Sequence, residues 1–209
     1  MVNIKIIDNF LNREDFNELT SLNIKEVKDN DIKVYNNYID NTGLIKGSII
    51  KDDIIHRFFK NYHLKAIELL KQLNDKKVDL YEYSEFHIVN TGPNYKFPIH
   101  DDTPNKLLSG VIYLNPNKNS GTHFYDNKKG DNKTEIEWRQ NRGVFFSRTE
   151  KKTWHSFQGD GISSRLVLVY NLMTTNIKKV CEIEKSNYLI TKTRFLINPI
   201  LYKYFKINI

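Results

Sequence analysis

Apolar positions along the chain fall at helical spacing in two stretches before Asn74, and the period changes after it. The opening, Asn3 to Ile7, reads as a short strand, and Asn12 then stands as the N-cap of a helix. Glu14 and Asp15 fall in the first turn of that helix, with Phe16, Leu19 and Leu22 at helical spacing. A longer helical pattern runs from Asp52 to Leu73 through Ile55, Phe58, Phe59, Tyr62, Ala66, Ile67, Leu69 and Leu70. Beyond Asn74 the apolar residues come in short runs rich in β-branched and aromatic types: Leu80 to Val89, Leu107 to Leu114, Thr122 to Tyr125, Gly143 to Ser147, Thr153 to Phe157 and Arg165 to Leu172. Turn chemistry separates them at Asn90-Thr91-Gly92-Pro93, Asn115-Pro116-Asn117 and Gly159-Asp160-Gly161. The pattern predicts helices first and a β core after them, a sandwich or barrel of many short strands. The last stretch, Ile177 to Ile209, alternates basic and apolar residues and is expected to dock on that core, with a dimer contact or a membrane surface as alternatives.

Composition narrows this picture. A chain of 209 residues suffices for a single domain with a sizeable core. With 39% apolar, 27% charged and 12% aromatic residues it reads as soluble and folded, not disordered. No apolar run approaches the roughly eighteen residues of a transmembrane helix. The start, Met1 to Asp8, lacks the apolar stretch and small-residue cleavage site of a signal peptide, so a cytoplasmic location is expected. Cys181 is the single cysteine, which excludes an internal disulfide framework and a cysteine-based zinc site; it reads as a half-buried filler. The net charge of +7 permits an acidic partner such as nucleic acid. The excess is Lys rather than Arg, however, Asn and Ile are about as abundant as Lys, and Ala66 is the only alanine. The charge therefore reads as compositional bias, and a nucleic-acid surface is not expected.

The candidate chemistry rests on which of six histidines do more than pack. His56 and His63 lie on the long helical pattern and read as surface or groove residues, while His87 and His123 sit inside strand patterns and read as structural. His100 differs in its company. In Phe97-Pro98-Ile99-His100-Asp101-Asp102, His100 and Asp102 are two apart, so on an extended backbone their side chains leave the same face. An imidazole and a carboxylate there offer one nitrogen and one oxygen ligand to a divalent metal. His155, in Trp154-His155-Ser156-Phe157, would complete two histidines and a carboxylate, a set that binds non-haem Fe(II) facially and leaves positions open. Asp160 lies midway between His155 and Arg165, so a simple hairpin closed there would put those two side chains roughly 5 Å apart at Cβ. A cation so near a metal repels it, and makes sense if a dianionic co-substrate lies between them.

His100-x-Asp102, His155 and Arg165, on strands in that order, resemble the 2-oxoglutarate- and Fe(II)-dependent oxygenase superfamily, and within it the prolyl-hydroxylase-like branch. Gly110 to Asn115 resembles the strand that follows the His-x-Asp motif, Ser120 to Tyr125 the Gly-Gly-x-x-x-Phe strand, and Asn141 to Ser147 the strand before the distal histidine. Ile6 to Leu11 resembles the usual N-terminal lead into these domains. Two positions depart from the pattern: Val167 stands where the branch has the serine of Arg-x-Ser, and Ser120 replaces the first glycine of the pair.

The resemblance implies a mainly β (α+β) fold, a double-stranded β-helix of the jelly-roll or cupin-like kind with supporting N-terminal helices. It would form one domain: residues 1–79 as the N-terminal strand and helices, 80–175 as the core and 176–209 as an extension. In that fold the distal-histidine and arginine strands belong to opposite sheets, which replaces the hairpin geometry. The resemblance further implies that His100, Asp102 and His155 hold Fe(II). Arg165 would grip the far carboxylate of 2-oxoglutarate, and Tyr113 would add a phenolic hydrogen bond. Dioxygen would be consumed, succinate and carbon dioxide produced, and ascorbate would serve as a supporting reductant. Trp154 is expected as a wall, while Asn90, Tyr95 and Phe97 read equally as lining of the substrate entrance or as loop packing. The leading substrate is a protein or peptide residue, prolyl by resemblance. A small molecule or sugar, or a nucleic acid in an alkylation-repair reaction, remain alternatives, as does a metal-free cupin-like binding module. Repair enzymes of this kind carry a further Arg shortly after the 2-oxoglutarate Arg, where this chain has Val167, Val169 and Asn171.

Overall fold

The computed structural model describes residues 2–47 and 49–205, with side chains as far as Asn198. The chain starts with β1 (Ile4–Ile7) and α1 (Arg13–Thr20), passes through β2 (Ile32–Tyr35), β3 (Tyr38–Asp40) and β4 (Ile45–Lys46), and enters the long α2 (Asp52–Asn74), which ends in a 3-10 turn (Asp75–Leu80). Then come β5 (Tyr83–Thr91), β6 (Lys96–His100), β7 (Lys106–Asn115), β8 (Thr122–Tyr125), β9 (Thr134–Ile136), β10 (Gly143–Phe146), β11 (Trp154–Gln158) and β12 (Arg165–Met173). Two helices, α3 (Ile177–Glu184) and α4 (Tyr188–Phe205), follow.

The strands form two sheets. The larger, eight-stranded, runs β1-β10-β7-β12-β5-β3-β4, with β2 also paired to β5; the smaller runs β6-β11-β8-β9. Strand period 2 sorts the residues of the large sheet between two environments. Even-numbered residues such as Phe86, Ile88, Leu168, Tyr170 and Leu172 pack outward against α2, through Ile55, Phe58, Tyr62, Ala66 and Leu70. Odd-numbered residues of β5, β7 and β12, among them Val89, Tyr113, Val167 and Val169, face the small sheet together with Phe146 of β10 and meet Phe124. The predicted fold class is thus observed, with the helices buttressing the larger sheet.

Local chemistry explains the helical frame. The Asn12 side chain caps α1 by accepting from the Asp15 backbone N at 2.8 Å, as expected. Asp15, fully buried, takes the Tyr62 hydroxyl at 2.5 Å and Arg57 Nε at 2.7 Å, which fastens α1 to α2.

Several expectations need correction. β2, β3 and β4 lie between the two predicted helices and extend the large sheet, so the helices do not simply precede the β core. β2 and β3 pair with successive halves of β5, and the bend between them is stapled by buried Asn37, whose Nδ2 donates to the carbonyls of Tyr35 (3.1 Å) and Phe86 (2.9 Å). β6 interrupts its pattern with Pro98, and β9 has only three residues; neither offers a readable alternation. The turn expected at Asn90 begins later, since Asn90 and Thr91 still pair with β12. The alternating stretch after Ile177 is helical. α3 docks through Val180 and Cys181, and Cys181 is buried rather than half-buried. His63 is half-buried in a groove, its ring stacked on Phe59 at 4.4 Å and tilted against Tyr81 at 4.8 Å. The end of the stretch, 206–209, lies outside the described residues.

Candidate active site

β6 and β11 are antiparallel neighbours whose register sets His155 directly opposite His100. Their rings sit 4.1 Å apart, and Asp102 arrives from the segment just after β6. Its Oδ1 lies 3.9 Å from His100 Nε2 and its Oδ2 lies 4.0 Å from His155 Nε2. One donor atom from each of the three lies within 4.8 Å of the others, which brings the predicted ligand set together.

The surroundings fix which atoms face inward. His100 Nδ1 lies 3.0 Å from the Pro98 carbonyl and His155 Nδ1 2.8 Å from the Thr153 carbonyl. A carbonyl only accepts, so each Nδ1 carries the proton and each Nε2 presents its lone pair toward Asp102. Lys106 Nζ donates to Asp102 Oδ1 at 2.8 Å and Ser109 Oγ to Oδ2 at 2.5 Å. Burial alone would raise the Asp102 pKa, but the Lys106 ammonium beside it outweighs that and holds the carboxyl well below the usual range. Burial, aided by His155, pushes His100 down to about 3, so its ring is neutral, as a metal ligand must be. Two imidazoles and an ionised carboxylate, each oriented by a second partner, suit a divalent metal and in particular Fe(II).

Arg165, the first residue of β12, is 2% exposed, and its guanidinium lies over the rings of Phe157 (4.2 Å), Trp138 (5.3 Å) and Tyr113 (5.6 Å). Its Nε has no hydrogen-bond partner, and among the described residues no carboxylate pairs with it. Burial lowers its pKa to about 10, which still leaves a cation at neutral pH. β11 and β12 belong to opposite sheets, so His155 and Arg165 face each other across the interior and not along a ladder. Tyr113 is fully buried, and its hydroxyl donates to Thr122 Oγ1 and accepts from Thr122 N, both at 2.9 Å. The ring stacks on Trp138 at 4.5 Å, and Thr122, not the phenol, lines the cavity beside Arg165.

One cavity of about 1010 Å³ joins the triad to Arg165. Trp154 is a wall, as expected, and Phe97 lines it too. Tyr95 instead packs behind, against Phe97 and Phe157, and Asn90 points elsewhere, donating to the Lys25 carbonyl at 3.3 Å. His123 pairs with Glu135 at 3.3 Å, in keeping with a structural role, whereas His87 lines the cavity. Sequence reasoning missed Lys106, Ser109, Trp138 and Phe157. Lys106 carried a faint signal in standing four residues after Asp102, and Phe157 in standing two after His155; Ser109 and Trp138 meet their partners only in the folded chain.

No protein-family model matches the chain, and no curated protein matches its sequence. Solved structures do match in three dimensions. A Pseudomonas putida prolyl-4-hydroxylase superimposes with a TM-score of 0.56 at 16% identity, over 84% of this chain and 95% of that one. A prolyl hydroxylase from Trichoplax adhaerens, solved with a peptide fragment of a hypoxia inducible factor oxygen degradation domain, gives 0.56 at 14%, over 85% and 86%. A 2OG-Fe(II) oxygenase family protein from Burkholderia pseudomallei gives 0.56 at 14%, over 81% and 84%. Identities this low speak to architecture, and the architecture is the double-stranded β-helix of the 2-oxoglutarate–Fe(II) oxygenases.

Proposed function

We propose that the protein is a 2-oxoglutarate- and Fe(II)-dependent oxygenase that hydroxylates a protein or peptide residue, of prolyl type. The observation that carries this reading is the pairing, in one cavity, of a two-histidine, one-carboxylate cluster with a buried arginine that has no carboxylate partner among the described residues. An unpaired buried cation costs several kcal/mol, so its retention makes sense where an anionic ligand completes it. A guanidinium fork matches a carboxylate bidentately, and Arg165 would hold the far carboxylate of 2-oxoglutarate while its aromatic neighbours keep water away. His100, Asp102 and His155 would hold the iron. Bound Fe(II) would supply the dioxygen activation that couples loss of carbon dioxide from 2-oxoglutarate to hydroxylation of the substrate. Lys106 and Ser109 keep the Asp102 carboxylate ionised and oriented, and the carbonyls of Pro98 and Thr153 keep both imidazoles turned inward. The peptide assignment draws on the two prolyl hydroxylases among the fold neighbours, one of them solved with a peptide.

The test is succinate formation from 2-oxoglutarate by the Fe(II)-supplied protein, alone and with peptide, oligonucleotide and metabolite pools. Stimulation by peptides is expected. His155→Ala should lose both Mn(II) binding and succinate formation, and unchanged activity in that variant would remove the central claim.

A further inference from the structure

The inner face of the large sheet carries a second polar cluster, away from Arg165. Glu85 and His87 on β5 and Asn171 on β12 all line the cavity. Register sets Asn171 opposite Glu85 on one side and opposite Ser109, the hydroxyl that holds Asp102, on the other. Glu85 is therefore two strands away from Ser109, ~10 Å across the sheet. Arg165 lies six residues earlier on β12, ~20 Å from Asn171 along the strand. The two ends of the cavity floor are thus chemically separate.

At the Glu85 end the hydrogen bonds are incomplete in one consistent sense. Glu85 Oε2 receives Asn171 Nδ2 at 3.0 Å and lies 3.1 Å from His87 Nε2. Its Oε1 takes no hydrogen bond from any other described residue. The carboxylate fixes the Asn171 amide with its NH2 inward, which leaves Oδ1 as a fully buried acceptor without a partner. His87, whose Nε2 faces the carboxylate, has Nδ1 buried and unpartnered too, and in the neutral ring that atom also accepts. The neighbouring cation, Lys106, does not fill the gap, since it is committed to Asp102 at 2.8 Å. Three acceptor atoms, two of them orphaned, thus gather with a negative charge at the wall of the cavity.

We propose that Glu85, His87 and Asn171 form a subsite for a cationic hydrogen-bond donor on the substrate, an ammonium or guanidinium group such as a lysyl or arginyl side chain carries. The proposal rests on the oxygenase reading for the word substrate alone; the subsite is built by this chain's own residues. Charge comes from Glu85, and direction from the two orphaned acceptors. The apolar residues between, Val89 and Val169, would pack against the aliphatic stem of such a side chain.

The experiment compares butylammonium and butylguanidinium with neutral pentan-1-ol, titrated at millimolar concentration into the full chain. Amide chemical shifts are followed with and without Zn(II) (a diamagnetic stand-in) and 2-oxoglutarate. The cationic probes should bind roughly ten- to a hundredfold tighter than the alcohol, the range of a charge-assisted hydrogen bond. Shifts should concentrate in residues 83–91 and 165–173. Glu85→Gln, checked for folding by its thermal melt, should bring cation and alcohol to equal affinity, and Glu85→Asp should restore part of the difference. Equal affinities in the wild type, shifts outside those strands, or an undiminished preference in folded Glu85→Gln would overturn the subsite. The wild-type comparison decides by itself should Glu85→Gln not fold. Absence of succinate formation would instead count against the oxygenase reading and leave the probe preference intact.

Discussion

Arg165 and Lys77 are both buried cations, yet their surroundings are opposite. Lys77 Nζ is fully enclosed and meets Glu184 Oε1 at 2.6 Å and the Arg148 carbonyl, so its charge is matched inside the fold. Arg165 has three aromatic faces and no carboxylate among the described residues, so its charge is matched only when an anion enters. The contrast yields a two-sided prediction. Arg165→Ala should leave Mn(II) affinity nearly intact while 2-oxoglutarate binds roughly ten- to a hundredfold more weakly, with Arg165→Lys in between because it keeps the charge and loses the fork. Arg165→Met should bind 2-oxoglutarate no better than Arg165→Ala, yet melt at or above the wild-type temperature, since an uncompensated buried charge has been replaced by apolar volume. Titration of 2-oxoglutarate against the Mn(II)-loaded proteins, with thermal melts in parallel, checks both sides. Equal 2-oxoglutarate affinity in all the proteins would mean that another cation grips the co-substrate.

Among the elements, α3 does more than cover the core. Its last residue, Glu184, accepts from Lys77 on the turn after α2 and from Arg148 on the loop between β10 and β11. Arg148 in turn donates from Nε to the main-chain carbonyl of Asp102 at 3.1 Å. A helix beyond the β core is thereby tied to the backbone of a metal-ligand candidate. Glu184→Gln should strand Lys77 as a buried, unpaired ammonium and lower stability by about 3–5 kcal/mol in urea unfolding. With Arg148 released, Mn(II) affinity should fall as well. A loss of stability below about 1 kcal/mol, the range of exposed pairs, would show that the network is open to solvent. The elements that sequence reading overlooked share one property: they carry no readable period. β3 and β9 are three residues long and β6 contains Pro98, while β2 alternates over only four residues before Asn36 and Asn37, so each is a strand chiefly because a neighbour supplies its ladder.

For the whole molecule, the charge of +7 sets long-range behaviour and not the site. Several cations are engaged locally: Arg57 with Asp15 and Glu18, Arg142 with Asp8, Arg148 with Glu184. Others lie open on the surface. Random-sequence DNA should consequently bind weakly and be released steeply as salt rises, the signature of counterion release without a fitted groove. Filter binding across a salt series measures this, and submicromolar affinity persisting at physiological salt would turn the reading toward a nucleic-acid substrate. Among the described residues no helix is long and apolar enough to cross a membrane.

What the sequence determined by itself were the features written in local order. These are the capped α1 and the long α2, the six aromatic-rich strands and the spacing of His100 and Asp102. Each follows from short-range rules, since period, capping and side-chain alternation act over a few residues. Tertiary structure decided everything that depends on which strands become neighbours. It aligned His155 with His100, placed Arg165 on the opposite sheet, and laid Phe157 and Trp138 against its guanidinium. It also turned Lys106 and Ser109 onto Asp102 and gathered Glu85, His87 and Asn171 around an unfilled set of acceptors. None of these is visible in one dimension, because strand pairing joins residues scores of positions apart, and burial, which makes an unpaired charge or acceptor meaningful, exists only once the sheets have closed on each other.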